Sequence, residues 1–331
     1  MLAKLLSIED SSGSVDMNLI VDFAKQGVKS NDPRIRFYLW QLLLYLLPQD
    51  RSRWKLIAES QRDDYMKWIE LYMKGSEDWV LRTFPLEGIV KEYGLERNDF
   101  MFQIHGDICR TPEHLFYEYK LVSSQEEING LTRRFERVLY LFSCLNPRYT
   151  YTQGFNELLT PIYHVVNEAH KILKRDDDFT EAISFFLLQS LITSTGIGEL
   201  FNMDRDFQAV DQQFNIIQTM LKICDKEIHD LFIKNGILPL HFAFSWVSVL
   251  FNQIYVGEPL LILWDRFLLT RDYIVEYAMA MATAHIIDVR DSLIHKDYTE
   301  ILDYLHRLKE LDPPTIISRS EDIWAQYLGY S

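Results

Sequence analysis

Apolar residues recur along this chain at intervals of three and four, the period of helices with one buried face. The pattern is clearest over 131–145, where Phe135, Val138, Leu139, Phe142 and Leu145 share a face and Asn146-Pro147 ends the run. Before it, Ser14 to Gly27 reads as a short helix capped by Ser14, with Met17, Ile20, Val21 and Ala24 on one side. A polar turn, Lys29 to Pro33, leads into an apolar helix from Arg34 to Leu47, stopped at Pro48. Residues 51–80 read as helix again, with Trp54, Ile57, Tyr65, Trp68 and Tyr72 as core contacts and Gly75 as the break. Residues 81–103 carry no clear period, and their structure is left open.

Thr111-Pro112-Glu113 has the order of a helix start: Thr at N-cap, Pro at the first helical position, an acid in the first turn. It predicts a helix from Pro112 to about Leu121 and puts Arg110 on the loop that feeds it. The polar, acidic stretch 123–130 reads as a loop. Arg148 to Phe155 is aromatic and β-branched, poor in helix propensity, so a helix is expected only from about Asn156 to Ala169. Gln153 therefore lies on a loop between helices, beside Gly154, which permits unusual dihedrals.

Arg175-Asp176-Asp177-Asp178 is the best lobe boundary, a solvent-facing charge run without the alternating ligands of a calcium loop. Beyond it, helices are expected over 181–193, 206–233 with a break near Cys224-Asp225, 241–255, 258–268, 274–289 and 302–308. Asp312-Pro313-Pro314 is expected to break the chain and Ser320-Glu321-Asp322 to start a last helix containing Trp324. With no repeat of fixed period and no run of strands, the fold class is all-α, in two lobes.

Composition narrows this picture. Apolar residues are 48% and aromatics 14% of 331 residues, ample for a packed core, while only 13 glycines and 10 prolines disfavour a turn-rich β fold. A net charge of −14 repels phosphate backbones, so nucleic acid is not expected as a partner. Cys109, Cys144 and Cys224 show neither C-x-x-C pairing nor metal-ligand spacing, as in a reduced cytosolic protein. Met1 to Leu6 is too short an apolar run for a signal peptide, Leu2 excludes myristoylation, and Gly329-Tyr330-Ser331 is no prenylation box. The most apolar segments, 182–192 and 274–287, are too short or too interrupted to span a membrane.

Read alone, the chemistry-bearing residues have plain structural explanations. Arg36 and Trp40 share a helical face, Trp40 as core and Arg36 as a partly buried neighbour paired with a carboxylate. A thiol hydrolase using Cys109 with His105 or His114 lacks any orienting partner visible in the sequence, so Cys109 reads as incidental.

Taken in order, however, four stretches resemble the TBC domain, the family of Rab GTPase-activating proteins. Arg36-x-x-x-Trp40 resembles its first motif, Ile104-x-x-Asp107-x-x-Arg110-Thr111 its arginine-finger motif, and Tyr151-x-Gln153-Gly154 its glutamine-finger motif. Pro239, Phe242, Trp246 and Trp264-Asp265 resemble its C-lobe landmarks. The resemblance covers roughly residues 27 to 290; the approach Asp32 to Arg36 lacks the glycine often found there.

The resemblance implies a TBC domain over 27–315, with an N-lobe of about 27–175 and a C-lobe of about 176–315, between an N-terminal helical segment 1–26 and a C-terminal helix 316–331. It implies Arg110 and Gln153 as catalytic residues offered in trans to a GTP-bound Rab, Asp107, Tyr151 and Gly154 as supports of the finger loops, and Arg36 and Trp40 as scaffold. No metal or cofactor of its own is implied, since Mg-GTP travels with the partner. The implied protein is an enzyme activator without stand-alone activity, cytoplasmic, free of integral membrane segments and open to peripheral recruitment to endomembranes. The alternatives are a catalytically silent Rab-binding TBC scaffold and a helical scaffold with no chemistry.

Overall fold

A computed structural model describes residues 13–25, 28, 31–73, 100–111, 113–201 and 203–330. Among them the regular structure is helical, apart from one antiparallel bridge between Ser14 and Asp50. The chain divides into two compact units, 1–194 and 195–331. The run Arg175 to Asp178, expected as the lobe boundary, thus lies inside the first unit.

The first unit holds α1 (Met17–Lys25), α2 (Pro33–Leu43), α3 (Trp54–Met73), α4 (Phe100–Arg110), α5 (Glu113–Glu118), α6 (Gln125–Leu145), α7 (Phe155–Leu173) and α8 (Asp177–Ser194). Helix α8 packs against α7, α3 and α6; α4 packs against α6, and α2 against α7. Trp40, Tyr65, Phe135, Phe142, Phe155 and Phe185 are fully buried there. The core also contains charge. Glu181 is wholly buried and accepts from Arg137 Nε at 2.9 Å, Arg134 Nη1 at 3.1 Å and the Tyr65 hydroxyl at 3.0 Å. Each oxygen is satisfied, which is the condition for keeping such a carboxylate in an apolar interior.

The second unit holds α9 (Ile197–Leu200), α10 (Met203–Cys224), α11 (Lys226–Asn235), α12 (Leu240–Val247), α13 (Glu258–Leu269), α14 (Ile274–Asp288), α15 (Arg290–Leu293), α16 (Tyr298–His306) and α17 (Pro313–Tyr330). Its centre is α14, buried on nearly every side and packed against α17, α10, α12 and α13, as a helix apolar all round must be. His285 of α14 is completely buried between the Met281 carbonyl and the Tyr255 hydroxyl, each 2.7 Å from a ring nitrogen. Burial drives its imidazole down to about 4, so the ring is neutral. The C-lobe landmarks Phe242, Trp246, Trp264 and Asp265 are all buried, and the Trp264 indole donates to the Leu250 carbonyl at 3.1 Å.

Several boundaries differ from the sequence expectation for identifiable reasons. Helix α1 is capped by Asp16, whose carboxylate accepts from Asn18 N at 2.9 Å, rather than by Ser14. Of the stretch 123–130, all but Ser123 and the N-cap Ser124 is the opening of α6 and not a loop. Glu126 and Glu127 suit the positive end of the helix, Glu127 accepts from the Ser123 amide at 2.7 Å, and Ile128 and Leu131 are buried. Asp312-Pro313-Pro314 opens α17 instead of breaking the chain: Asp312 accepts from Thr315 N at 3.0 Å, and Pro313 occupies the first helical position. Ser320, expected as a helix start, sits mid-helix with its hydroxyl donating to the Ile316 carbonyl at 2.6 Å. Tyr72, expected in the core, is exposed. The expected breaks at Gly27 and Gly75 lie outside the described residues.

Candidate functional site

The site grows from the end of α4. Met101, Ile104 and Ile108 bury one face of this helix, and α6 covers it. The helix stops because Thr111 precedes Pro112, and a residue before proline avoids the helical region. The Thr111 amide still bonds back to the carbonyls of Asp107 at 3.1 Å and Ile108 at 3.0 Å, and its hydroxyl donates to the Asp107 carbonyl at 3.2 Å. Arg110 is therefore the last residue of α4, and Thr111 serves the end of that helix. This corrects the expectation of Arg110 on a loop: the helix expected from Pro112 is α5, described from Glu113, but Arg110 closes the helix before it. The C-terminal end of a helix carries partial negative charge and suits a cation.

The Arg110 side chain is 69% exposed, whereas that of Asp107 is 3% exposed. Arg110 Nη2 donates to Asp107 Oδ1, and the guanidinium lies back along its own helix, with Nη1 3.4 Å from where a Cβ on Gly106 would stand. The other oxygen, Asp107 Oδ2, accepts from the Tyr151 hydroxyl at 2.9 Å. One buried carboxylate thus joins the end of α4 to the segment between α6 and α7. Burial and the Asp107 carboxylate push the Tyr151 phenol well above its ordinary range, so it remains a donor.

Tyr151 is fixed from its backbone too: its amide donates at 3.0 Å to the Ser143 hydroxyl, which donates in turn to the Leu139 carbonyl at 3.0 Å. Two residues on, Gln153 is exposed on the turn before α7. Gly154, at φ 110° and ψ −21°, is the N-cap of α7, a conformation that favours glycine and lets the chain turn directly into the helix.

Asn156 closes the arrangement and was not anticipated. Its Oδ1 accepts from the Gly154 amide at 3.3 Å and stands 3.3 Å from the Tyr151 hydroxyl, while its Nδ2 donates to Thr111 Oγ1 at 3.0 Å. Its position in the first turn of α7, where short polar side chains bond to nearby backbone, was the available signal. The distant bond to Thr111 had none. Arg36 and Trp40 lie on α2; Trp40 is fully buried and Arg36 partly so. His164, whose ring nitrogen faces the Tyr119 carbonyl at 2.7 Å, is held below its ordinary value by burial, with the Arg36 charge acting in the same direction.

With this geometry in view, the sequence model of the Rab-GTPase-TBC domain matches residues 33–294. The chain belongs to the Rab-GTPase-TBC domain family. TBC1 domain family member 13 of Homo sapiens is 23% identical over 87% of this chain and 89% of its own length. TBC1 domain family member 22B of Homo sapiens is 24% identical over 95% of this chain, which spans only 57% of that longer relative. Among solved structures, the Ypt/Rab-GAP domain of Gyp1p superposes with a TM-score of 0.75 at 18% identity, covering 100% of both chains. The Chlamydomonas flagellar RabGAP TBC domain gives 0.62 at 15% identity, covering 97% of this chain and 90% of its own. At these identities the structural likeness carries the fold. As a TBC domain the chain falls in a family of GTPase activators whose partners are Rab GTPases. No helix among the described residues is long and apolar enough to cross a membrane.

Proposed function

We propose that this TBC domain accelerates GTP hydrolysis by a GTP-bound Rab, inserting Arg110 and Gln153 into the partner's nucleotide site. Hydrolysis spreads negative charge over the transferring phosphoryl oxygens, and the planar, permanently charged fork of Arg110 matches them. A finger of this kind is worth roughly 10³–10⁵ in rate, or about 4–7 kcal/mol. The Gln153 amide can accept from the attacking water and donate to a phosphoryl oxygen, a pairing that glutamate cannot provide.

The observation that carries the reading is the Asp107 carboxylate, shared between Arg110 and Tyr151, two residues from Gln153. It makes the two exposed polar groups part of one braced unit, which suits joint insertion into another protein. Asp107, Tyr151 and Gly154 are supports in this reading, and Arg36 and Trp40 belong to the scaffold. The chain contributes no cofactor, because magnesium and GTP arrive with the Rab. It works in the cytoplasm, with peripheral recruitment to the endomembranes that carry Rabs, in the regulation of vesicle traffic.

The test is single-turnover GTP hydrolysis by a panel of Rabs with catalytic amounts of the chain. Wild type is expected to stimulate at least one Rab. Arg110→Ala and Gln153→Ala are each expected to abolish most of that stimulation at unchanged helical content, Gln153→Ala with an unchanged melting temperature and Arg110→Ala with a modest fall, because it strips one partner from the buried Asp107 carboxylate. Full activity in either variant refutes the two-finger mechanism; no stimulation of any Rab by wild type leaves a silent Rab-binding scaffold.

A further inference from the structure

Beside Arg110 stands a second constellation that the proposed GTP chemistry does not use. Cys109 is exposed, and its sulfur lies 3.5 Å from Nε2 of His105, one turn earlier on α4. The other ring nitrogen, Nδ1, lies 2.5 Å from Oε1 of Glu136, a completely buried residue of α6. Arg133 holds the second Glu136 oxygen. Thiol, imidazole and carboxylate thus stand in series, with the carboxylate pinned from its far side. A carboxylate acceptor at Nδ1 keeps the ring proton there and leaves Nε2 free to accept. The orienting partner that no sequence spacing revealed for Cys109 is Glu136, on a different helix.

The thiol itself is not acidic. Burial and the Glu136 carboxylate push it up, against the opposing charges of Arg133 and Arg110. It rests as S–H, and nucleophilic reaction requires a base to remove the proton as sulfur attacks. His105 Nε2 is at the distance for that transfer. Glu136 is completely buried while the Arg110 side chain is 69% exposed, so the charge an arriving reagent meets beside this sulfur is the guanidinium, which suits an anionic reagent.

We propose that Cys109 is a modification site, at which the His105–Glu136 pair promotes exchange with a low-molecular-weight disulfide bearing carboxylates, such as oxidised glutathione. The Cys109 proton passes to His105 Nε2, and Sγ attacks one sulfur of the disulfide. The reagent's S–S bond breaks as the new Sγ–S bond forms, and the departing thiolate takes the proton back from Nε2. Protein sulfur is oxidised and reagent sulfur reduced by the same amount, so no further oxidant is required. His105 acts on the reacting sulfur; Glu136 is a positioning residue. The product carries a bulky anionic group at the residue next to Arg110, and loss of Rab stimulation follows. That consequence rests on the GTPase-activating reading; the exchange does not.

The experiment incubates the full chain with oxidised glutathione and follows the mixed disulfide at each cysteine by peptide mass spectrometry. Cys144 and Cys224 serve as internal references; both are less exposed, and the Cys224 sulfur faces the Gln326 side-chain oxygen at 3.8 Å. Cys109 is expected to react at least about tenfold faster than either, within the roughly 10²–10⁴ a positioned base can supply. His105→Asn is expected to bring it down to the reference rates. The charged groups facing the thiol are Glu136 and Arg133 from α6 and Arg110 from its own helix. Wild type should therefore keep reacting near neutral pH, where the thiol is protonated, while His105→Asn reacts only as the thiol ionises. Equal rates at all three cysteines overturn the proposal, as does a Cys109 rate and pH profile unchanged in His105→Asn, which would mean exposure alone. Should that variant misfold, the pH profile of Cys109 in wild type decides: a rate sustained where the thiol is protonated supports the base, and a rate that rises only as the thiol ionises overturns it. In the Rab assay, the adduct should lose stimulation and dithiothreitol restore it, while Cys109→Ser stays active and insensitive to the disulfide. A chain that stimulates no Rab when untreated fails the functional reading, and the adduct rates still decide the exchange.

Discussion

Lowering the pH from 7 to 5 should destabilise both units of this protein through histidines that burial holds down, chiefly His170 and, in the same direction, His164 in the first unit, and His285 in the second. His170 in the first unit and His285 in the second are held down to about 4, from 6.5 in the unfolded chain, chiefly by burial. His170 faces the Thr180 hydroxyl at 3.1 Å, with the Arg175 charge opposing protonation further and Asp176 favouring it. His285 is enclosed by Met281 and Tyr255, with Asp288 the charge that favours protonation. Because the folded value is the lower one, the unfolded chain binds the proton first. The stabilisation is complete above 6.5 and is lost as the pH falls through 6.5 towards 4. At pH 7 both states are mostly neutral; at pH 5 the unfolded histidine is charged and the folded one is not, a difference of about 2 kcal/mol per residue. The carboxylates that the fold holds low, Asp32, Asp50, Glu127 and Asp230, start from 3.8 or 4.5 and lose their contribution mainly below this window. Urea denaturation followed by circular dichroism at the two pH values measures the loss. His285→Gln is less stable at pH 7, yet its further loss on going to pH 5 should be smaller than wild type's by about 2 kcal/mol. If the variant loses as much as wild type between pH 7 and pH 5, the neutral, buried state assigned to His285 is wrong.

Two other substitutions test the framework and the site. Glu181→Ala leaves Arg137 buried without its carboxylate and should cost about 3–5 kcal/mol, a fall in melting temperature of roughly 10 °C by thermal denaturation; a shift within a degree or two would show that the cluster is dispensable. Asn156→Ala removes the bonds to Gly154 and Thr111 and should lower Rab stimulation by about tenfold to 10²-fold through misplacement of the fingers, with only a few degrees lost in melting. Asn156→Asp keeps the acceptor for Gly154 but loses the donor to Thr111, and should fall between; wild-type stimulation in both variants would show that Asp107 and Tyr151 hold the two segments unaided.

Local physics made the helices legible and left their partners hidden. The period of Phe135, Val138, Leu139 and Phe142 announces the buried face of α6, and the break at Cys224-Asp225 is where α10 gives way to α11, with Asp225 accepting from Ile228 N at 3.2 Å. Such features depend on residues within a turn or two of one another. The site depends on pairs far apart in sequence: Asp107 with Tyr151, Thr111 with Asn156, His105 with Glu136. Nothing local distinguishes Glu136 from a solvated acid on the polar face of α6, yet it is fully buried because α4 lies across it and brings His105 to one oxygen while Arg133 takes the other. Family resemblance supplied Arg110 and Gln153 as candidates. It was silent on Asn156 and Glu136, whose roles follow only from which helices pack together.

The loop expected at Arg110 has a specific cause. Proline suits the first position of a helix, where its missing N–H costs nothing, and equally follows the end of one, since it cannot continue the ladder. Thr111-Pro112 announces α5, and an arginine just ahead of it can stand on a loop or close a preceding helix. What separates them lies upstream: Met101, Ile104 and Ile108 recur at three and four and are buried, so the segment before Thr111 has an apolar face of its own. A segment with such a face is helical up to its stop signal, and the stop is the proline. The difference matters for the chemistry. A loop arginine would have to be ordered at each encounter, at a cost in conformational entropy of about 1–2 kcal/mol per backbone residue. At the end of α4, only the side chain of Arg110 remains to be placed, and the Asp107 carboxylate beneath it is already fixed by Tyr151.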